Sequence, residues 1–278
     1  MVSNRRHLGT IAKIIFFFLA IYFLTGCRND FLGLYGSSDL DKRLKERDNF
    51  NFLDPASRTL TLGDEYSFIV LNDIHIENGN AYNLEKLRNV IDDDIRFVVF
   101  NGDITQNGRR QDLEKFLGIA NTLGVPCYPV IGNHDVFWGN WSEWKELIGS
   151  TRYRIDGDSA TLFILDSANA YFGKDQLDWL EEELKSTQSR VFVFSHFNLF
   201  ERSLTKIQQL TDTRERARII SILKNRCDIM FMGHSHQRLE TEAGGVQYIS
   251  IEDYRKHRSY CRVSVNKNGV RWAINVLP

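Results

Sequence analysis

The sequence predicts an α/β fold, and three observations carry that reading. Short apolar runs rich in Val, Ile and Phe alternate with amphipathic stretches from Tyr66 onward. The tail from Val246 to Val276 (VQYISI, YCRVSV, VRWAINV) alternates apolar with polar residues, and Asp156-Gly157 and Asn268-Gly269 are hairpin-turn dipeptides. Most apolar runs also stop abruptly at residues able to bind a metal or move a proton.

Taken in order, the strands are YSFIVLN (66–72), RFVVFN (96–101), CYPVI (127–131), TLFILD (161–166), RVFVFS (190–195) and DIMFM (228–232). Between them, helices are expected at 84–91, 111–123, 141–148, 175–186 and 212–225. The segment 153–155 pairs with the strand beginning at Thr161 across the Asp156-Gly157 turn. The alternating tail reads as antiparallel strands closing a second sheet. No internal repeat or low-complexity segment interrupts this pattern.

The N-terminus reads differently. Arg5, Arg6 and Lys13 precede the apolar run Ile14–Leu24, which small residues follow up to Cys27. Basic start, short apolar centre and small-residue end describe a signal peptide, residues 1–26. A spanning helix needs about 20 apolar residues, more than this run supplies. Leu24-Thr25-Gly26-Cys27 resembles the lipobox of bacterial lipoproteins. That resemblance implies cleavage before Cys27, lipid on its sulfur, attachment to a membrane and a place in the bacterial cell envelope outside the cytoplasm. Residues 27–62 are polar and Gly/Ser-containing and read as a tether with one short helix. The folded domain is expected over 63–278.

Lys and Arg number 35 against 36 acids, so no basic excess marks a dedicated nucleic-acid binder. Cys127, Cys227 and Cys261 have no C-x-x-C spacing and read as small buried residues rather than a disulfide or thiolate framework.

The ends of the apolar runs carry the chemistry. FIVLN leads to Asp73 and His75, FVVFN to Gly102-Asp103, and PVI to Gly132-Asn133-His134-Asp135. VFVFS leads to His196, and IMFM to Gly233-His234-Ser235-His236. In α/β sheets, sites form beyond the carboxyl ends of strands, so residues distant in the chain are expected to converge. Five of the seven histidines sit at these ends.

D-x-H, G-D, G-N-H-D, H and G-H-x-H in this order resemble the calcineurin-like metallophosphoesterases. The similarity runs from Asp73 to His236 and includes LDS (165–167) and Gln176-x-x-Trp179-Leu180, as in the branch resembling class III cyclic nucleotide phosphodiesterases. It implies a four-layer α/β/β/α sandwich of two mixed sheets and a site for two divalent cations. Asp103 would bridge them, with Asp73, His75 and His236 on the first and Asn133, His196 and His234 on the second. The nitrogen and oxygen donors suit Mn, Fe or Zn. If G-H-x-H is extended, its two histidines share a face.

The implied activity is hydrolysis of a small phosphate ester by water activated between the cations. His134 would assist the leaving group and Asp135 would orient its imidazole. A phosphodiesterase is the leading reading. A phosphomonoesterase or nucleotidase scavenging phosphate is the second, and a non-catalytic lipid-anchored metal-binding protein the third. Gln106 stands where purple acid phosphatases have a metal-binding tyrosine, and Ile131 and Asp135 depart from the R-G-N-H-E of protein Ser/Thr phosphatases. Phe137, Trp138, Trp141 and Trp144 follow the GNHD stretch; the spacing of Trp141 and Trp144 is that of a helix packed on the core, with an aromatic wall of all four facing the substrate as the alternative. Arg255, Lys256, His257 and Arg258 read as a solvated basic loop, with contact to substrate phosphate as the alternative.

Overall fold

The computed structural model describes residues 40–46, 59–187, 190–200, 210 and 212–278. The expected signal peptide, residues 1–26, and Cys27 lie outside them. Alternation along the strands decides which layer each side chain enters. A first sheet holds β2 (Tyr66–Leu71), β3 (Ile95–Asn101), β4 (Cys127–Val130), β11 (Ser259–Asn266) and β12 (Gly269–Val276), in the order β12-β11-β2-β3-β4. The second has the order β1-β5-β6-β7-β8-β10-β9. Its strands are β1 (Thr59–Leu60), β5 (Tyr153–Gly157), β6 (Ala160–Ile164), β7 (Arg190–Phe194), β8 (Ile229–Met232), β9 (Leu239–Ala243) and β10 (Val246–Ser250). Both sheets are mixed: β2, β3 and β4 are parallel, as are β6, β7, β8 and β10, with antiparallel strands outside them.

Phe68, Val70, Phe97 and Val99 point inward from the first sheet and meet Phe192, Phe194 and Phe231 of the second. Phe68 stacks on Phe97 at 4.6 Å and meets Phe192 edge-on at 4.9 Å. The intervening residues Ile69, Leu71, Val98 and Phe100 face outward, beneath the helices Arg110–Ala120 and Trp141–Leu147. On the far side, Val191, Val193, Met230 and Met232 pack under the helices Lys174–Glu183 and Thr213–Leu223. Helices therefore cover both outer faces, giving the expected four layers. Each large apolar side chain buried this way contributes about 1.5–3 kcal/mol. Cys127, Cys227 and Cys261 are buried free thiols.

Several details differ from the sequence reading. The tail divides between the sheets: β10 runs parallel to β8, whereas β11 and β12 complete the first sheet beside β2. Alternation reveals a strand but not its partner, and β10 is buried at four of its five positions. The hairpin turns are Asp158-Ser159 and Lys267-Asn268, because Asp156 pairs with Thr161 and Gly269 with Asn266. The segment Leu84–Val90 is a 3₁₀ rather than an α-helix. Two pieces of the predicted tether pack on the body. The helix α1 (Leu40–Lys45) buries Leu40, Arg43 and Leu44, while β1 pairs with β5 and leads into buried Leu62.

Candidate metal centre

Five parallel strands end at one edge of the two sheets. β2 leads to Asp73 and His75, β3 to Asp103 and β4 to Asn133. From the other sheet β7 leads to His196, and β8 to His234 and His236. Asp73, His75, Asp103, His234 and His236 have positive φ, between 49° and 66°. Left-handed backbone at a non-glycine residue is uncommon and costs on the order of 1–3 kcal/mol. Five such residues converging here show a backbone bent to aim side chains, held in place by the packed sheets beneath. His234 and His236 therefore converge through left-handed turns, not through the strand alternation expected of G-H-x-H.

Glycines make the close approach feasible. A Cβ on Gly102, where φ is +90°, would lie 2.2 Å from His196 Nδ1. One on Gly132 would lie 2.2 Å from both the amide nitrogen and Oδ1 of Asp103. The backbone atom cannot swing aside. Gly132→Ala is thus expected to cost about 1–3 kcal/mol in overpacking and to deplete bound metal. Thermal unfolding and elemental analysis of the purified variant would check both.

The donor atoms lie close together. Asp73 Oδ1 is 3.3 Å from His236 Nε2 and 4.0 Å from His75 Nε2. Asp103 Oδ2 is 3.2 Å from His196 Nε2, 3.8 Å from His75 Nε2 and 3.9 Å from His134 Nε2. Asn133 Oδ1 is 3.0 Å from His196 Nε2. Asp73, His75 and His236 form one group able to hold a cation, and Asp103, His196 and His234 another. Asp103 Oδ2 is buried with no hydrogen bond formed to it, as is His75 Nδ1. A buried carboxylate oxygen lacking a hydrogen bond, facing imidazoles on two sides, fits a bridging ligand. The seven side chains thus fit a pair of cations.

Electrostatics agree. Burial pushes the Asp103 carboxyl up, yet His196, His134 and His75 outweigh it and hold the group well below the usual range. Asp73 is also lowered, as His236 and His196 overcome its burial. Burial alone would lower His196, but Asp103 and Asp73 push it up to about 9. His236 is raised in the same way, while burial takes His75 down to about 3. The carboxylates that favour protons on these imidazoles would equally favour metal cations, with proton release on binding.

His134 stands beside this cluster, its ring 4.6 Å from that of His75 and 4.3 Å from Phe137. Its Nδ1–H donates to the Gln106 carbonyl at 2.9 Å, which fixes the tautomer and leaves Nε2 facing the cluster. Asp135, expected to orient this ring, is placed otherwise. Its Oδ1 accepts from the Thr105 amide and hydroxyl at 2.8 and 2.9 Å, and its Oδ2 from the Gly132 and Ile104 amides at 2.9 and 3.2 Å. It ties the loop of Asp103 to that of Asn133. Burial, then the nearby Asp103 charge, pushes its carboxyl up to about 7.

Other residues emerge that the motifs did not single out. Asn72 Nδ2 donates to the Met232 carbonyl at 2.6 Å, linking the two sheets under the cluster, and Asn101 Nδ2 donates to Asn72 Oδ1 at 3.2 Å. The Ser167 hydroxyl accepts the amides of His196 and Phe197 at 3.1 and 2.9 Å. Of the sequence signals, only LDS pointed toward one of these.

A family model for calcineurin-like phosphoesterases matches residues 66–238, more than half the chain. The chain belongs to this family. Within it, the chain is 30% identical over 140 residues to a probable cyclic nucleotide phosphodiesterase of Fibrobacter succinogenes, a match covering 44% of this chain. The chain spans 50% of the length of that relative. Solved structures share the fold. A dimetal phosphatase from Danio rerio superposes with TM-score 0.57 at 14% identity, covering 77% of this chain and 99% of that one. A purple acid phosphatase from yellow lupin seeds gives 0.63 at 12% identity, covering 76% and 51%.

The aromatic residues after the Gly132–Asp135 loop separate into two sets. Trp141 and Trp144 are buried in the outer core, and Trp138 is 69% exposed at φ 57°. Arg255, expected in a solvated loop, is fixed at the rim by Gln106 Oε1 at 2.8 Å and Glu77 Oε2 at 3.1 Å, with Tyr82 beneath its guanidinium.

Proposed function

We propose that this chain is a phosphodiesterase acting on a small diester of nucleotide type, anchored by lipid on Cys27 outside the bacterial cytoplasm. The observation that carries the catalytic reading is the convergence of seven metal donors from both sheets on one point, with the Nε2 of His134 turned toward it. The resemblance to a probable cyclic nucleotide phosphodiesterase supports a diester rather than a monoester. The lipobox, Leu24 to Cys27, supports the anchor.

Asp73, His75 and His236 would hold one divalent cation, Asn133, His196 and His234 another, and Asp103 would bridge them; Mn, Fe or Zn suits these donors. When bound, such a pair supplies Lewis-acid stabilisation of phosphoryl charge and an acidified water. The protein's own groups do the rest. As an imidazolium, His134 would donate its Nε2 proton to the departing oxygen and be left neutral with its proton on Nδ1, while the Gln106 carbonyl holds its ring and Phe137 packs against it. Asp135 keeps the loops of Asp103 and Asn133 in register.

Protein lacking residues 1–27 is expected to hydrolyse bis(p-nitrophenyl) phosphate and a cyclic nucleotide with added Mn²⁺, faster than p-nitrophenyl phosphate. Folded protein inert toward mono- and diesters with every divalent metal tried would overturn the catalytic reading. Incorporation of labelled fatty acid into the full chain, lost in Cys27→Ser, tests the anchor separately.

Trp138 is the aromatic group exposed on the loop carrying His134, which suits stacking on a nucleobase. Base–aromatic stacking contributes about 1–3 kcal/mol, so Trp138→Ala is expected to raise KM for a cyclic nucleotide about fivefold or more with kcat retained. Steady-state kinetics would show it; an unchanged KM removes Trp138 from the substrate site.

A further inference from the structure

We propose that α1, the helix Leu40–Lys45, is a clasp on the second cation's half of the centre, with Arg43 and Glu46 as its positioning residues. The proposal rests on the reading of Asn133, His196 and His234 as that cation's ligands.

Arg43 is completely buried, and a buried guanidinium requires a dedicated partner. Its Nε donates to Asp166 Oδ2 at 2.7 Å and its Nη2 to Asp166 Oδ1 at 2.8 Å, a two-pronged pair in which neither side chain is exposed. Nη2 also donates to Asn169 Oδ1 at 2.6 Å. Asp166 precedes Ser167, the residue whose hydroxyl accepts the backbone amide of His196. The Asp166 backbone is held from the other side by Gln176, through its amide at 2.9 Å and its carbonyl at 2.7 Å. Arg43 thereby braces the loop on which His196 depends.

Glu46, just beyond the helix, reaches the other ligand loop. Its Oε2 accepts from Trp141 Nε1 at 2.9 Å and from Lys145 Nζ at 3.0 Å. Trp141 opens the helix that follows directly from the Asn133–Asn140 loop, and its ring is buried in the outer core. Leu40 fixes the near end of α1 against Gly173, where any Cβ would lie 2.9 Å from its Cδ2. One short helix is therefore joined to both segments that set the positions of Asn133 and His196, whose side chains meet at 3.0 Å. The backbone amides of Asp73 and His75, on the other half, are held instead by the Gly102 and Asp103 carbonyls, at 3.2 and 2.9 Å. The clasp is one-sided.

Without Arg43, Asp166 is left as a buried carboxylate lacking its cation, and the Ser167 loop must shift or take up water. The expected consequence is selective. Groups that orient metal ligands from behind typically change metal affinity about 10- to 100-fold. The full-length protein in detergent, titrated with Mn²⁺ by calorimetry, should bind two equivalents. Arg43→Ala should weaken one step at least tenfold and leave the other unchanged. Arg43→Lys should recover part of the loss, since an ammonium keeps the charge but not the fork. A His236→Ala background, which removes a ligand of the other cation, assigns the affected step.

Circular dichroism would confirm folding. If Arg43→Ala does not fold, Glu46→Gln carries the test, because its carboxylate lies at a partly exposed position; a smaller loss at the same step is expected. Wild-type affinity at both steps in the folded variants, or parallel weakening of both, overturns the clasp. Fewer than two equivalents in the wild-type protein overturns the two-cation site itself, a failure visible before any variant is compared.

Discussion

Asp103→Asn is expected to abolish hydrolysis and to leave the protein with fewer than two bound metal ions. The substitution preserves size, so the His134 backbone amide, 2.9 Å from Oδ1, keeps an oxygen acceptor. What disappears is the negative charge facing His196, His75 and His134 within 3.9 Å. Two cations sharing that position would repel each other without it. A direct ligand should matter more than the outer groups worth about 10- to 100-fold in affinity. A loss in kcat/KM on the order of 10⁴-fold, about 5.5 kcal/mol of transition-state stabilisation, is anticipated. Elemental analysis beside steady-state kinetics would show it. Retention of two ions and normal turnover would remove Asp103 from the bridging role.

His134→Ala should behave differently, because its imidazole is anchored behind the cluster by the Gln106 carbonyl. Metal content should persist while kcat falls, by about 10²–10⁴-fold if proton donation is its contribution. The fall should depend on the leaving group. A nitrophenolate departs readily without a proton and an alkoxide does not, so alkyl diesters and cyclic nucleotides should suffer far more than bis(p-nitrophenyl) phosphate. An equal fall across all these substrates would point to substrate placement rather than proton transfer. Asp135→Asn offers a contrast, since Asp135 accepts four hydrogen bonds between the loops. Its loss should appear as lower stability and lower metal content, not as leaving-group dependence.

The convergence of these side chains was legible in the sequence because strand ends are local features: an apolar run followed by Asp73, Asp103 or His196 can be read without knowing which strands pair. The four layers followed from family resemblance rather than from periodicity. What escaped was whatever depends on partners distant in the chain. Strand β10 showed its pattern but not that it would lie beside β8. The role given to Asp135 relied on its adjacency to His134, whereas neighbouring side chains in the 3₁₀ turn beginning at His134 diverge, and the ring found a backbone carbonyl instead. Left-handed turns at Asp73 and His236 carry no composition signal when glycine is absent. Arg43 looked like one charge in a polar run, and only the tertiary fold revealed its burial against Asp166.

The division of donors between the sheets has a thermodynamic consequence. His75 and His236, whose ring nitrogens lie 3.3 Å apart, are separated by 161 residues of chain and arise from opposite sheets. Ions seated there would act as rivets across the seam, available only once the two halves have docked. Ligands that bind solely the assembled state raise its stability by RT ln(1 + [L]/Kd). Chelation should therefore lower the melting temperature as well as silence turnover, and amide exchange should quicken first along the strand ends where β2 and β8 face one another.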